Sequence, residues 1–281
     1  MPYEKIKSYA KINLALNIIN KNSSLHTIET IISFIDLYDD IFVKKSKSRK
    51  HHVSFVGKFS SKIGKSNTVI KLLRILEEKK ILKDEKYYIK IKKHIPHKSG
   101  LGGGSMNAAS ILRYFLNKKI IKITDKEKMQ ISQSIGSDVI LGLNPVNSII
   151  NRRNKIRYFK NCKKFHLLIV KPNFGCSTKK IYSKVKKFNK PQLDKPLKKM
   201  FSLVFLKKMT NSLEQIVLSE YPKLKEMKSF LQNLSKTVFV RMTGSGSAFV
   251  AYFQSKKECE NAKKLFNRKY KNYWSITSKT I

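Results

Sequence analysis

Pro96-His97-Lys98-Ser99-Gly100-Leu101-Gly102-Gly103-Gly104-Ser105-Met106-Asn107-Ala108-Ala109 is a turn that runs straight into a helix. Gly100, Gly102, Gly103 and Gly104 let the backbone approach a ligand closely and adopt positive φ. From Ser105 to Asn117 the apolar residues Ala108, Ala109, Ile111, Leu112, Phe115 and Leu116 fall on one helical face. The free N–H groups and the positive dipole end of that helix face the loop, an arrangement that binds phosphate. The pattern is not the Walker loop, which needs G-x-x-x-x-G-K-[ST]. Nor does the strand and acidic residue of a dinucleotide fold follow it at the required distance.

Outward from this loop, strands and helices are intermixed. Toward the N-terminus, Ile12, Leu14, Leu16 and Ile18 alternate with polar or small residues, the period of a strand. Thr30 to Leu37 is a second apolar run, closed by Asp39-Asp40, and a further strand is expected from Asp40 to Val43. Residues 44–52 read as a basic loop, and Val53 to Val56 as another strand. Helical spacing covers Asn67 to Lys80, and Tyr87 to Ile91 is a short strand.

Toward the C-terminus, helices are expected over 126–134, 201–219, 222–234 and 256–267, with a short one near Ile181. Strands are expected over 165–170, 238–242, 248–253 and 272–278. The regular βαβ alternation of a doubly wound sheet is missing, so the class is α+β. The basic stretch Asn151 to Lys160 separates two self-sufficient sets of elements and suggests domains of 1–155 and 156–281.

The chain has 281 residues with 60 Lys or Arg against 18 Asp or Glu, a formal charge of +42. Apolar residues make up 41%, enough for a core and too many for a wholly disordered chain. Eight of the basic residues are Arg, so the usual reader of base edges and bidentate phosphate ligand is scarce. The lysines are spread over the whole chain, and Lys, Ile and Asn together are what AT-rich codons encode. No specific nucleic-acid partner is expected. The apolar runs are too short for a membrane span, and Cys162, Cys176 and Cys259 match no metal spacing. A cytoplasmic protein without a membrane partner is expected.

Three other stretches carry chemistry. Tyr9-Ala10-Lys11-Ile12-Asn13-Leu14 puts Lys11 and Asn13 on one face of a strand, as ordinary surface residues or as active-site groups. Ile135-Gly136-Ser137-Asp138-Val139 places an acid where a helix or turn cap would also sit. Met242-Thr243-Gly244-Ser245-Gly246-Ser247 lies between two apolar strands and would serve equally as a tight hairpin.

In order and spacing, these four stretches together resemble the GHMP small-molecule kinases. Ala-Lys-Ile-Asn-Leu, Leu25-His26, Ile35-Asp36-Leu37, Asn67-Thr68-Val69 and Ser177-Thr178 are most similar to the branch that phosphorylates a cytidine diphosphate-linked methylerythritol in isoprenoid precursor synthesis. The resemblance covers essentially the whole chain and begins by residue 9, which leaves no room for a targeting peptide.

It implies a two-domain α+β fold, with an N-terminal ATP-binding domain and the active site in a cleft between domains. ATP would be the phosphoryl donor, with Mg²⁺, and the acceptor a small molecule. Lys11 and Asp138 match the family's catalytic pair. Asn67, Lys98, Gly100, Leu101, Gly102, Gly103, Gly104, Ser105 and Asn107 match the nucleotide site. Asn13, His26, Thr178, Tyr182, Thr243, Gly244, Ser245 and Gly246 match the acceptor site, with His26 at the cytosine edge and Tyr182 stacked on the base. One departure is Ser24-Leu25-His26-Thr27, where the family usually has Gly-Tyr-His and the Tyr forms the second face of a cytosine sandwich. Leu25 cannot stack as a π-system. A homoserine or mevalonate-type kinase would use the same ATP loop, and a basic nucleic-acid-binding protein would leave the ordered motifs unexplained.

Overall fold

The alternating run from Ile12 to Ile18 lies within β1 (Glu4–Asn22), the first strand of a computed structural model. The structure describes residues 2–22, 25–61, 63–64, 66–82 and 84–281, with Leu25 described only in its backbone. The middle of β1 is buried at successive positions, not at alternate ones. Its polar members are therefore inside: Lys11 and Asn13 are each 4% exposed and Asn17 is 1% exposed. Such groups persist inside only with hydrogen-bond partners, and these partners build the site described below.

Asp39-Asp40 does not end the second strand. β2 runs without a break over Leu25–Ser46, because the Asp39 carboxylate finds donors in the interior. The strand also takes in the first three residues of the expected 44–52 loop. The chain forms two compact units. One comprises Met1–Ala10, Leu37–His97 and Gly102–Pro145; the other comprises Lys11–Asp36, Lys98–Leu101 and Val146–Ile281.

In the first unit β4 (Lys86–Lys92) pairs antiparallel with residues 40–46 of β2 and parallel with β3 (His52–Val56). Helices α1 (Thr68–Glu78), α2 (Gly103–Asn117) and α3 (Asp125–Ile135) pack their apolar faces into one core with these strands. Val69, Leu72, Leu73 and Leu76 recur at helical spacing in α1 and are all buried. A short helix, α4 (Val139–Leu143), was not legible in the sequence. It packs closely on α2: a Cβ added at Gly142 would lie 2.5 Å from that of Ala109.

In the second unit a four-stranded antiparallel sheet has the order β10 (Trp274–Lys279), β7 (His166–Lys171), β9 (Phe249–Phe253), β8 (Phe239–Met242). Helices α7 (Glu214–Glu220), α8 (Pro222–Gln232) and α9 (Lys256–Lys269) share its core with the short α5 (Thr178–Ser183). Two further strands, β5 (Asn147–Ile150) and β6 (Ile156–Phe159), pair antiparallel, and β5 joins residues 30–32 of β2.

The helix expected over 201–219 is broken into α6 (Leu203–Lys208) and α7. Residues 210–212 instead pair with β1, where Leu16 N donates to Thr210 O and Ser212 N to Leu16 O. Tertiary backbone pairing here overrides helical periodicity. No helix among the described residues is long and apolar enough to cross a membrane.

Candidate active site

Three of the sequence motifs meet in the second unit. The backbone from Lys98 to Leu101 is held on both sides: Lys11 N donates to Leu101 O at 3.1 Å, and Ser247 N and Ala248 N donate to Lys98 O and Ser99 O. Gly100 has φ +74°, and a Cβ there would lie 2.0 Å from Thr243 O, so only glycine fits. Thr243 Oγ1 donates to Gly100 O at 3.1 Å.

Asn13 joins the same group. Its Oδ1 accepts from Lys11 Nζ at 2.8 Å and from Gly244 N at 3.0 Å, and its Nδ2 donates to Thr30 Oγ1 at 2.9 Å. Asn211, in the break before α7, donates from Nδ2 to Met242 O and Gly244 O. The Gly-Ser-Gly turn is thus fixed from two directions. Lys98, itself exposed, packs its Cβ on Gly175, where an added Cβ would lie 2.6 Å away.

On the other side of Ser245, Thr178 Oγ1 and Ser245 Oγ lie 2.8 Å apart. α5, which begins at Thr178, also carries Tyr182, whose ring is 5.2 Å from the His26 ring and tilted by 51°. His26 Nε2 is buried without a hydrogen-bond partner. Burial, and then the charge of Lys21, hold its imidazole below the usual 6.5, which favours the neutral ring. A half-buried tyrosine beside a neutral histidine with an unused ring nitrogen can take a flat, polar-edged base. The side chain of Leu25 lies outside the described residues.

The rest of the loop belongs to the first unit. Gly102, at φ +72°, precedes α2, and Gly103, Gly104 and Ser105 form its first turn. Gly103 itself is helical; a Cβ there would sit 3.0 Å from Ile95 Cγ2. Thr68 Oγ1 donates to Gly104 O at 2.7 Å, tying α1 to the loop. The preceding residue, Asn67, caps α1: its Oδ1 accepts from Val69 N and Ile70 N, and its Nδ2 donates to Gly64 O. Asn107 is 1% exposed, and its Oδ1 has no hydrogen-bond partner. The Gly136-Ser137-Asp138 turn approaches the same helix start, since a Cβ on Gly136 would lie 3.6 Å from Ser105 Oγ. Asp138 stands at the N-cap position of α4, but its side chain does not cap that helix.

The second unit therefore gathers Lys11, Asn13, Gly100, Leu101, Thr243, Gly244 and Ser245, with Thr178, Tyr182 and His26 next to them. Gly246 completes their turn against Met242 Sδ and Cys176 Sγ. The first unit gathers Gly102 to Ser105, Asn107, Asn67 and Asp138.

Residues 67–145 match the GHMP kinases N terminal domain. The 4-diphosphocytidyl-2-C-methyl-D-erythritol kinase of Pelagibacter ubique is 55% identical to this chain over 277 residues, 99% of each. The chain belongs to the 4-diphosphocytidyl-2-C-methyl-D-erythritol kinase family. The kinase of that name from Petrotoga mobilis is 33% identical, over 86% of this chain and 96% of that protein.

The crystal structure of a 4-(cytidine 5'-diphospho)-2C-methyl-D-erythritol kinase matches with a TM-score of 0.79 at 21% identity, covering 98% of this chain and 99% of that one. A homoserine kinase from Cytophaga hutchinsonii matches with a TM-score of 0.75 at 15% identity, over 100% of this chain and 95% of that one. At these identities the likeness is one of fold, and that fold is the α+β GHMP kinase fold expected from the sequence.

In this member of the kinase family, sequence reasoning missed Thr30, Asp39, Thr68 and Asn211. Each holds a motif residue or its flank through a hydrogen bond between segments distant in sequence. No periodicity or spacing in the chain signals such a bond.

Proposed function

We propose that this protein transfers the γ-phosphoryl group of ATP to the methylerythritol hydroxyl of 4-diphosphocytidyl-2-C-methyl-D-erythritol, in the cytoplasm, within non-mevalonate isoprenoid precursor synthesis. The observation that supports this most is the convergence on Asn13. Its side chain joins Lys11 to the Gly244 turn, and Thr243 of that turn holds Gly100 of the glycine loop.

The loop fits a nucleotide triphosphate. It combines a backbone that admits no side chain at Gly100, the open N–H groups of the first turn of α2, and the orphaned Asn107 Oδ1. Among the described residues no cluster of three His, Cys, Asp or Glu could hold a metal. Mg²⁺ would thus be held largely through phosphate oxygens and water, and when bound it neutralises phosphate charge.

Phosphoryl transfer needs alignment and charge stabilisation more than covalent help. The N–H groups of Gly102 to Ser105 bind the phosphates. Asp138, beside that helix start, takes the proton of the acceptor hydroxyl, a contribution of about 10²–10⁴-fold in rate for such a base. Lys11, fixed by Asn13, orients the hydroxyl and stabilises developing negative charge. Thr243 to Gly246 shape the wall around the methylerythritol, and Thr178 supports that wall through Ser245. His26 and Tyr182 hold the cytosine. That ring pair favours a cytidine-bearing acceptor over homoserine or mevalonate.

The test is ATP consumption with a panel of alcohols: the cytidylyl-methylerythritol, homoserine and mevalonate. Turnover restricted to the first supports the reading, and turnover with either of the others and not the first rejects it. Salt-sensitive binding to nucleic acid with no ATP turnover on any alcohol would support the non-enzyme alternative.

A further inference from the structure

Asp39 lies on β2, is 0% exposed, and belongs to none of the four motifs. Its two carboxylate oxygens do different work. Oδ1 accepts from the backbone amides of His94 at 2.7 Å and Ile95 at 2.9 Å, while Oδ2 accepts from the Lys93 ammonium. Lys93 is 6% exposed, and its backbone N donates to Val56 O. Three consecutive residues at the end of β4 are therefore held by one side chain.

Those residues form the floor of the loop. A Cβ placed on Gly103 would sit 3.0 Å from Ile95 Cγ2 and 3.4 Å from Lys93 Nζ. Gly103 is the first residue of α2, whose N–H groups supply the phosphate contacts. A buried ammonium close to a helix N-terminus is electrostatically unfavourable on its own. The Asp39 carboxylate compensates it there and sets the height of Ile95 under Gly103.

We propose that Asp39 is the positioning residue of the phosphate loop, acting through Lys93, His94 and Ile95 to hold the start of α2 where nucleotide phosphates are bound. This rests on the reading of 100–107 as the nucleotide loop. Asp39 touches no ligand. Its loss relaxes the floor and is felt in nucleotide affinity, while the acceptor groups His26 and Tyr182 belong to the other unit and keep theirs.

The experiment uses the whole protein, with wild type, Asp39→Ala and Asp39→Asn compared well below their melting temperatures. ADP affinity is measured by calorimetry, and KM is measured separately for ATP and for the acceptor. Asp39→Ala removes every acceptor oxygen and should weaken ADP binding by about tenfold, since misplacement on the scale of an ångström near a binding site has effects of that size or larger. Its acceptor KM should stay close to that of wild type. Asp39→Asn keeps a carbonyl oxygen for the two backbone amides and should recover part of the loss.

Wild-type ADP affinity in a folded Asp39→Ala protein overturns the proposal. So does an equal loss for ADP and acceptor, which marks general loosening. If Asp39→Ala does not fold, Asp39→Asn decides on the same comparison: a loss confined to nucleotide supports the proposal, and no loss or an equal one overturns it. Failure of the wild type to bind ADP rejects the nucleotide-loop reading itself, and is seen before any variant is made.

Discussion

The Lys11 ammonium donates to Asn13 Oδ1 over 2.8 Å, and that same oxygen accepts the Gly244 amide at 3.0 Å. One buried amide thus couples the catalytic lysine proposed here to the turn facing the reacting groups. Both side chains are on β1, yet the contact matters because Gly244 arrives from more than two hundred residues away.

Asn13→Ala should cost both stability and turnover. It leaves the Gly244 amide and Thr30 Oγ1 without their partner and Lys11 without one of its acceptors. Removing one partner of a buried hydrogen bond costs about 1–3 kcal/mol. Thermal melting reads the stability, and kcat should fall more than the KM for ATP rises. Unchanged kcat would separate Asn13 from the placement of Lys11.

Gly100→Ala should be far more damaging than its one added methyl suggests. The residue has φ +74°, and the new Cβ would meet Thr243 O at 2.0 Å. The left-handed backbone alone costs about 1–2 kcal/mol, and the backbone clash adds to it. Gly64 is the control: it has open space around it and no positive φ. Gly64→Ala should stay within about 0.5 kcal/mol of the parent. Chemical denaturation of the pair checks this, and equal stability would refute the close approach of loop and turn.

Asp138→Asn should keep the fold and ADP affinity, because the side chain does not cap α4. Its kcat should drop by about 10²-fold or more, the size expected for a lost general base. Single-turnover kinetics with saturating ATP check it; near-parental rates would remove Asp138 from proton transfer.

Acceptor binding should weaken in acid. Burial holds His26 below the usual 6.5, so the ring is neutral at pH 7 and keeps an acceptor nitrogen for cytosine's amino group. As pH falls below 6.5 through the lowered pKa, protonation turns both nitrogens into donors and that interaction is lost. The same group contributes to stability: the unfolded chain binds the proton more readily in this window, so stability also declines as pH falls. Acceptor Kd against pH, beside a His26→Ala protein that lacks the step, checks it. Identical pH profiles for the two would show that His26 does not hold the base.

The local part of this protein was readable in the chain. The glycine run, the apolar face from Ala108 to Leu116 and the spacing of Val69, Leu72, Leu73 and Leu76 placed α2 and α1, because helical burial follows from residues three and four apart. The motif order pointed to the kinase family for the same reason: each motif is a contiguous stretch.

What tertiary structure alone decided is where polar groups meet across long separations. Ser212 N reaches Leu16 O and breaks the helix expected over 201–219. The Asp39 carboxylate lets β2 run through an acidic pair that reads as a strand end. Asn211 and Thr30 brace the site through single side-chain hydrogen bonds. Periodicity records which face of an element is apolar. It holds no record of which distant backbone group a buried polar side chain will satisfy, and that is settled only when the segments pack.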